Sequence, residues 1–294
     1  MATQTFDDRD GWIWWNGKMV PWREAKLHVL SHGLHYASCV FEGERVYGGN
    51  VFHLTAHSQR LIDSARMLGF EIPFGLQAID DATREVAAAN RITDGYLRPV
   101  AWRGSEMMGV SAQQSRINVA IACWAWPSYF APEIKTKGIR LQWSDWKRPS
   151  PETIPCKSKA SGLYMICTLA KHKAESEGYQ DAMMLDYRGY VAEATGANVF
   201  FVREGEIHTP TPDCFLDGIT RRHTIGLARG RQMKVIERHI KPEELSGFQE
   251  CFLTGTAAEI TPVGQIGEHR FVPGAVTRRL IEDFEASVRA KQAA

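Results

Sequence analysis

The spacing of apolar and polar residues predicts two β-hairpins near the start of the chain. Apolar residues at 13–15 and 18–20 flank Asn16-Gly17, a dipeptide typical of a tight hairpin turn. A second hairpin is predicted within residues 39–53, where Gly48-Gly49-Asn50 supplies the turn. Both hairpins indicate that the N-terminal part of the chain contains an antiparallel sheet.

The periodicity then changes from strand to helix and back several times. Leu61, Ala65 and Leu68 share one helical face, which predicts a helix with Thr55 as its capping residue. The same reasoning predicts helices at 77–89, 163–177, 220–233 and 275–289, and strands at 96–103, 118–126, 139–146, 181–185, 190–192, 198–203, 235–239 and 250–254. Because the strands and helices do not alternate strictly, an α+β fold is favoured over a doubly wound sheet.

A chain of 294 residues is long enough for two domains. The stretch 127–137, with two prolines and a glycine directly after it, is the best candidate for a linker. We therefore predict a small N-terminal α+β domain at 1–127, a linker at 128–138 and a larger C-terminal domain at 139–294.

Composition excludes several classes of partner. The net charge of +1 gives no electrostatic reason to expect binding to nucleic acid or to an anionic membrane. The six cysteines are scattered without a C-x-x-C pair, which argues against a metal cluster or a disulfide scaffold and fits a reducing cytoplasm. The polar start of the chain lacks the pattern of a secretory signal, and no apolar run is long enough to span a bilayer.

The stretch from Pro155 to Tyr164 carries the first candidate chemistry. Its Lys159 precedes the small residues Ala160, Ser161 and Gly162, beside which a flat cofactor could approach the backbone. A lysine amine condenses with carbonyl groups, and removal from water lowers its pKa towards use as a base. Lys157 is a rival on these grounds alone.

Glu193 ends a short apolar strand and is followed by a tight turn with Gly196 and Asn198. A buried carboxylate needs a partner, and a pyridinium nitrogen would be one. Two further stretches suit a phosphate group, because each offers a hydroxyl and free backbone amides: 216–220, which enters a helix through a glycine, and 254–260. Arg60 could add positive charge.

Read together, these residues resemble the fold-type IV pyridoxal-phosphate aminotransferases, and within them the branched-chain amino acid aminotransferases. The resemblance covers nearly the whole chain and rests on motifs in the family's order: Trp14-Trp-Asn-Gly-Lys-Met-Val20, Ser31-His-Gly-Leu-His-Tyr36, Val40-Phe-Glu-Gly43, Gln59-Arg-Leu-Ile-Asp-Ser-Ala65, Tyr96-Leu-Arg98-Pro99, Met108-Gly-Val110, Lys159-Ala160, Gly218-Ile-Thr220-Arg221 and Thr254-Gly-Thr-Ala-Ala-Glu-Ile-Thr-Pro-Val263.

The resemblance implies a pyridoxal 5'-phosphate cofactor between the two domains. Lys159 matches the Schiff-base lysine, Tyr164 and Glu193 match contacts to the cofactor ring, and the matched phosphate contacts are Arg60, Ile219, Thr220 and Thr256. Tyr96 and the amides of Thr256 and Ala257 match the substrate carboxylate site. An apolar pocket would be lined by Phe41, Met108, Trp126 and Tyr129, with Arg98 serving the side-chain carboxylate of glutamate. Tyr36 and Val110 match residues that reach into the neighbouring subunit's site, which implies at least a homodimer.

The implied reaction is transamination between branched-chain L-amino acids and 2-oxoglutarate. D-amino acid or (R)-amine aminotransferases and aminodeoxychorismate lyase share the lysine and the glutamate, and a non-catalytic binding protein could keep the fold. The family's Glu-Gly-x-Gly-Glu-Asn turn reads Glu193-Ala-Thr-Gly-Ala-Asn198 here. Ala194 and Ala197 therefore raise the question of whether the turn keeps its backbone shape.

Overall fold

The computed structural model of the chain describes residues 5–126 and 134–289. These residues form two compact units. The first unit contains 5–126 together with 158–162, and the second contains the remaining described residues. The five residues around Lys159 thus belong with the N-terminal part of the chain, whereas the sequence prediction assigned them to the C-terminal domain.

The segment predicted as a linker is partly helical. Residues 134–137 form the short helix α4 (Ile134–Lys137), and 128–133 lie outside the described residues. Among the described residues, no helix combines the length and the apolar character that crossing a membrane requires.

The first unit is built on an antiparallel sheet with the strand order β2-β1-β7-β6-β4-β5, in which β3 also pairs with β6. Its strands are β1 (Trp12–Trp15), β2 (Lys18–Pro21), β3 (Cys39–Phe41), β4 (Glu44–Tyr47), β5 (Asn50–Val51), β6 (Gly95–Arg103) and β7 (Ile117–Ala125). Its helices are α1 (His32–Tyr36), α2 (Leu54–Met67) and α3 (Leu76–Ala89). Both predicted hairpins are confirmed, and Asn16 and Gly17 adopt the positive φ angles of 48° and 94° that the first turn requires.

The prediction that Thr55 caps helix α2 is wrong. The helix starts at Leu54 and its N-cap is His53, which has a φ of 53° and makes no capping hydrogen bond through its side chain. The Thr55 hydroxyl instead donates to Asp80 Oδ2 on α3, at 2.6 Å. A buried carboxylate on the neighbouring helix has therefore replaced the helix's own amides as the partner of this hydroxyl.

The second unit contains a sheet whose strand order is β10-β9-β8-β15-β14-β11-β12-β13, with β16 beside β15. Its strands are β8 (Ile139–Trp143), β9 (Asp181–Leu185), β10 (Val191–Ala194), β11 (Asn198–Arg203), β12 (Glu206–Thr209), β13 (Val235–Glu237), β14 (Glu250–Gly255), β15 (Glu259–Ile266) and β16 (His269–Arg270). Besides α4, its helices are α5 (Met165–Ser176), α6 (Ile219–Gly230) and α7 (Ala275–Arg289). This mixture of strands and helices confirms the α+β prediction.

The sheet of the second unit closes on itself. Strand β10 pairs with β9 on one side and with β11 on the other, so six strands form a ring. The closing pair is Glu193 opposite Asn198. Ala194 and Ala197 pack in the apolar core beside this pair, and neither has a positive φ. The turn therefore forms without the glycine that the family motif has at position 194.

The first unit buries the carboxyl group of Glu44. Glu44 on β4 is fully buried, and neither of its carboxylate oxygens has a hydrogen-bond partner among the described residues. Burial raises the pKa of Glu44 well above its ordinary value, and the carboxylates of Glu42 and Asp80 raise it further, against the opposing charge of Arg60. Asp80 is itself buried, and one of its carboxylate oxygens has no hydrogen-bond partner in the part of the chain that the structure describes.

We expect Glu44→Gln to become more stable than the wild type as the pH rises from about 4.5, the ordinary pKa of a glutamate. In the wild type the folded state holds the Glu44 proton where the unfolded state has released it, so stability falls with increasing pH in this window. The difference should grow by about 1.4 kcal/mol per pH unit until the wild-type carboxyl ionises. Denaturant unfolding at several pH values measures it. Glu85→Gln, on the exposed face of α3, is the control, and a pH-independent difference would contradict the prediction.

Candidate active site

The segment 158–162 is fixed to the first unit by its backbone. Phe41 N–H donates to the Lys159 carbonyl at 3.1 Å, and Val40 forms a β-bridge with Ala160. Ser64 on α2 completes the attachment, because its hydroxyl accepts from Lys159 N–H at 3.0 Å and its carbonyl accepts from the Ser158 hydroxyl at 3.0 Å. Hydrogen bonds thus fix both the carbonyl and the N–H of Lys159.

Glu42 is the centre of a buried charged cluster in the same unit. The Arg60 guanidinium donates two hydrogen bonds to its carboxylate, from Nε at 2.6 Å and from Nη2 at 2.8 Å. His57 Nδ1 lies 2.7 Å from Glu42 Oε2 and donates to it, because an ionised carboxylate can only accept. Although burial opposes ionisation, Arg60 and His57 hold the pKa of Glu42 below its ordinary value. Burial lowers the pKa of His57 despite the adjacent carboxylate.

Sequence reasoning identified Arg60 but missed both of its neighbours. The available signal was Glu42 itself, a carboxylate between the apolar Val40-Phe41 pair and a glycine, where an unpaired charge would be costly. His57 stands one turn before Arg60 on α2 and so faces the same way.

The cluster and its surroundings set the acidity of the lysine amine. Desolvation lowers the pKa of Lys159 to about 8, and the positive charges of Arg60 and Arg98 add to this effect, while Glu42 and Tyr96 oppose it. The amine lies 4.9 Å from the centre of the Phe41 ring. A substantial fraction of Lys159 is therefore neutral near pH 8 and able to act as a nucleophile or a base.

Arg98 lies in an aromatic environment in the same unit. Its guanidinium carbon is 4.8 Å from the centre of the Phe41 ring, and its Nη2 donates to the Tyr96 hydroxyl at 3.2 Å. Trp126 lies beside Tyr96, with the centres of the two rings 5.3 Å apart. Within the described residues, the guanidinium contacts the rings of Phe41 and Tyr96 and the Tyr96 hydroxyl but no carboxylate, and its Nε is buried without a hydrogen-bond partner.

Position 43 requires a glycine because it lies against Tyr96. A Cβ at Gly43 would lie 1.9 Å from the Tyr96 hydroxyl oxygen, so any side chain there would displace the tyrosine. Four predicted site residues, Phe41, Tyr96, Arg98 and Trp126, are thus brought together in the first unit, along with Lys159.

In the second unit, Glu193 already has partners within the chain. Its Oε1 lies 3.3 Å from Nε of the buried Arg148, and its Oε2 accepts a hydrogen bond from Asn198 Nδ2 at 3.2 Å. Burial alone would lower the pKa of Arg148, but the adjacent Glu193 carboxylate outweighs this effect and the pKa is raised. Cys167 and Tyr164 also raise it. Sequence reasoning missed Arg148, because it lies 45 residues before Glu193 in a proline-rich loop.

Asn198 connects the glutamate to the predicted phosphate site. Its Nδ2 also donates to the Leu216 carbonyl at 2.9 Å, and its Oδ1 accepts from Gly218 N–H at 3.2 Å. Helix α6 begins directly afterwards at Ile219 and Thr220, and no side chain caps its first amides. A Cβ at Gly218 would lie 2.3 Å from Asn198 Oδ1, so this approach depends on glycine.

These features fit a phosphate group. Among the described residues, no N-cap side chain occupies the amides at the start of α6, which are therefore suited to donating to an anion, and Thr220 lies in the same first turn. Thr256 and Ala257 lie in the turn between β14 and β15, and Thr254, which starts that stretch, has a buried hydroxyl without a partner among the described residues. Gly255, in turn, faces the backbone of Gly196 and the methyl of Ala197.

Three of the remaining predicted residues are at the surface. Tyr36, Met108 and Val110 expose 44%, 50% and 87% of their area. Tyr129 lies outside the described residues.

Residues 39–266 match the family model of the class IV amino-transferases. The chain belongs to the class IV aminotransferases. It is 40% identical over 271 residues to the branched-chain-amino-acid aminotransferase of Pseudomonas aeruginosa, covering 91% of this chain and 88% of that protein.

Solved structures of this family are also similar over most of the chain. The branched-chain aminotransferase of the thermophilic archaeon Thermoproteus uzoniensis, solved with norvaline, has a TM-score of 0.92 and 34% identity, covering 97% of this chain and 96% of that one. The branched-chain amino acid aminotransferase of Thermobaculum terrenum, solved in its PLP-form, has a TM-score of 0.88 and 31% identity, covering 96% of this chain and 95% of that one. The family resemblance inferred from the motifs is thereby confirmed.

The Lys159 amine should react with an amine-selective acylating reagent along a titration curve centred near pH 8, in protein freed of any cofactor. In Arg60→Gln the midpoint should move to higher pH, because the charge that most lowers the pKa of Lys159 is lost and Glu42 remains. Peptide mass spectrometry measures labelling at Lys159 and, in the same sample, at the exposed Lys157 as an internal control. Arg66→Gln, an exposed change on the same helix, should leave the midpoint in place. A wild-type midpoint near 10.5, the ordinary pKa of lysine, would contradict the assignment.

Proposed function

We propose that this aminotransferase exchanges the amino group between branched-chain L-amino acids (leucine, isoleucine and valine) and 2-oxoglutarate, using pyridoxal 5'-phosphate. The observation that carries the proposal is the environment of Lys159 in a chain of this family: a partly desolvated amine with a pKa near 8, in the same unit as an arginine surrounded by aromatic rings. The named relatives, which are branched-chain enzymes, support the substrate class.

The residues present are suited to holding the cofactor. Lys159 would carry it covalently, Tyr164 would bind its phenolic oxygen and Glu193 its ring nitrogen, and the phosphate would be held by Arg60, Ile219, Thr220 and Thr256. When bound, pyridoxal phosphate supplies an electron sink for the pair of electrons left after the α-proton is removed. Because Arg148 favours the ionised form of Glu193, this carboxylate is prepared to keep a proton on a ring nitrogen.

Lys159 would act as the base that moves the proton. Its pKa of about 8 leaves a share of the amine neutral at physiological pH, so Nζ would accept the proton released from the substrate α-carbon and later give it up again. The side chain of Tyr96 and the amides of Thr256 and Ala257 would bind the substrate carboxylate.

The two substrates place opposite demands on one pocket. A leucine side chain favours the apolar surfaces of Phe41 and Trp126, whereas glutamate brings a carboxylate that is costly to bury unpaired. Arg98 meets both demands, because its flat guanidinium packs against aromatic rings and can still bind a carboxylate with two parallel hydrogen bonds.

We also infer that the protein works as a homodimer in the cytoplasm. Tyr36 and Val110 would enter the partner subunit's site, and their exposure in the single chain supports this. Further exposed apolar residues lie near them in sequence, at Leu27, Val29, Leu30, Leu34 and Met108. All six cysteines are free thiols, which supports a reducing compartment.

The function is tested with a panel of amino donors: L-leucine, D-alanine and (R)-1-phenylethylamine, each with 2-oxoglutarate. We expect L-leucine to be by far the best donor, and to bleach the visible absorption of the purified protein. Lys159→Ala should abolish turnover, whereas Lys157→Ala, the matched control, should retain it. Preference for D-alanine or the amine would replace the proposed function by another activity of the same fold, and absence of any bleaching would indicate a binding protein.

Arg98→Ala should slow the half-reaction with 2-oxoglutarate roughly thirty-fold or more, because losing one partner of a buried charge pair costs ~2–5 kcal/mol. The half-reaction with leucine involves no side-chain charge and should fall much less. Single-turnover rates of the two half-reactions, measured separately, give the comparison. Arg98→Lys keeps the charge without the planar guanidinium, so its rate with 2-oxoglutarate should lie between those of the wild type and Arg98→Ala. Equal losses in both half-reactions would instead assign Arg98 to the fold or to the shared carboxylate site.

A further inference from the structure

His32 is a buried side chain of the first unit that the proposed mechanism does not use. It begins helix α1, exposes 3% of its area and makes two contacts through its ring. Its Nε2 lies 2.8 Å from the Gly109 carbonyl oxygen, and since a carbonyl only accepts, this nitrogen carries the hydrogen. The ring also stacks on Tyr36, with centroids 4.6 Å apart and planes inclined by 25°.

These two contacts join two separate segments of the surface. Tyr36 ends α1, and Gly109 lies in the loop that carries Met108 and Val110. Tyr36 and Val110 are both exposed, and the proposed function assigns both to the partner subunit's site. One buried ring therefore lies behind both parts of that surface.

At its base the loop is closed by a hydrogen bond that Gly104 N–H donates to the Arg116 carbonyl at 2.8 Å. Gly109 has a φ of 124°, a conformation that glycine adopts readily and other residues rarely do. Arg103 Nη1 donates to the Ala112 carbonyl at 3.1 Å, and Arg116 N–H donates to the Glu106 carboxylate at 3.0 Å. Among the described residues, His32 provides the side-chain hydrogen bond that reaches Gly109, the residue next to Val110.

We propose that His32 is a positioning residue for the active site of the partner subunit. It sets Tyr36 and the Val110 loop relative to each other, so that both enter the partner's site in one arrangement. This inference rests on the proposed homodimer and deepens it: His32 acts on the reaction of the other chain, not on the Lys159 of its own.

The test uses two variants that separate the contacts of His32. His32→Phe keeps an aromatic ring for Tyr36 but loses the donor to Gly109, and kcat/KM for leucine should fall tenfold or more. His32→Gln can place an amide N–H near the position of Nε2 and should recover part of that loss. In both, the labelling midpoint of Lys159 near pH 8 should be unchanged, because the Lys159 environment of the same chain is intact.

Hybrid dimers decide between action on the partner and action within the chain. A His32→Phe chain is paired with a Lys159→Ala chain, with different tags on each so that hybrids can be isolated. The one competent site then takes Lys159 from the first chain and an intact Tyr36–Val110 surface from the second. We expect about half of the wild-type activity per dimer.

The matched control is the hybrid of Lys159→Ala with Arg98→Ala. Arg98 serves the site of its own chain, so this hybrid should remain as defective towards 2-oxoglutarate as Arg98→Ala itself. If the hybrid with His32→Phe also fails to recover activity, the proposal is overturned. It is also overturned if the His32→Phe chain sediments as a monomer, because His32 would then be needed for dimer assembly. A fully active wild-type monomer would refute the homodimer itself, an outcome that sedimentation distinguishes from both.

Discussion

The first unit depends on the compensation of one carboxylate. Glu42 is completely buried, and a buried charge is tolerated only when it is paired and hydrogen-bonded. Arg60 and His57 provide that pairing from α2, so the same group holds this helix to the connection between β3 and β4. The charge of Arg60 also adds to desolvation, the larger effect, in lowering the pKa of Lys159.

The second unit repeats the same solution with different residues. Glu193 is paired with the buried Arg148, as Glu42 is paired with Arg60. Such pairs add little net stability, because desolvation cancels much of the attraction. Their value is that the charges are oriented before any substrate arrives, so that little reorganisation is needed during the reaction. Glu44, whose carboxylate has no hydrogen-bond partner among the described residues, shows the cost where this arrangement is missing.

Local sequence patterns predicted the elements whose formation depends on residues close together in the chain. The hairpin at Asn16-Gly17, strand β11 and helix α7 were read correctly, because turn chemistry and periodicity decide them. Strand β15 was missed since Pro262 and Gly264 interrupt its pattern, and helix α1 is too short to show a period. Lys159 and Glu193 were predicted from motifs, whereas the contacts of Arg148, His57 and His32 arise only from the fold.

The ring of six strands in the second unit joins parts of the chain that are far apart. Strand β8 ends at Trp143 and pairs in parallel with β15, which begins at Glu259, so more than a hundred residues separate the partners. Pairings of such long range form slowly during folding. During synthesis, β8 and β14 must wait with unpaired edges until β15 leaves the ribosome, which makes the nascent chain dependent on protection from aggregation until nearly its last helix.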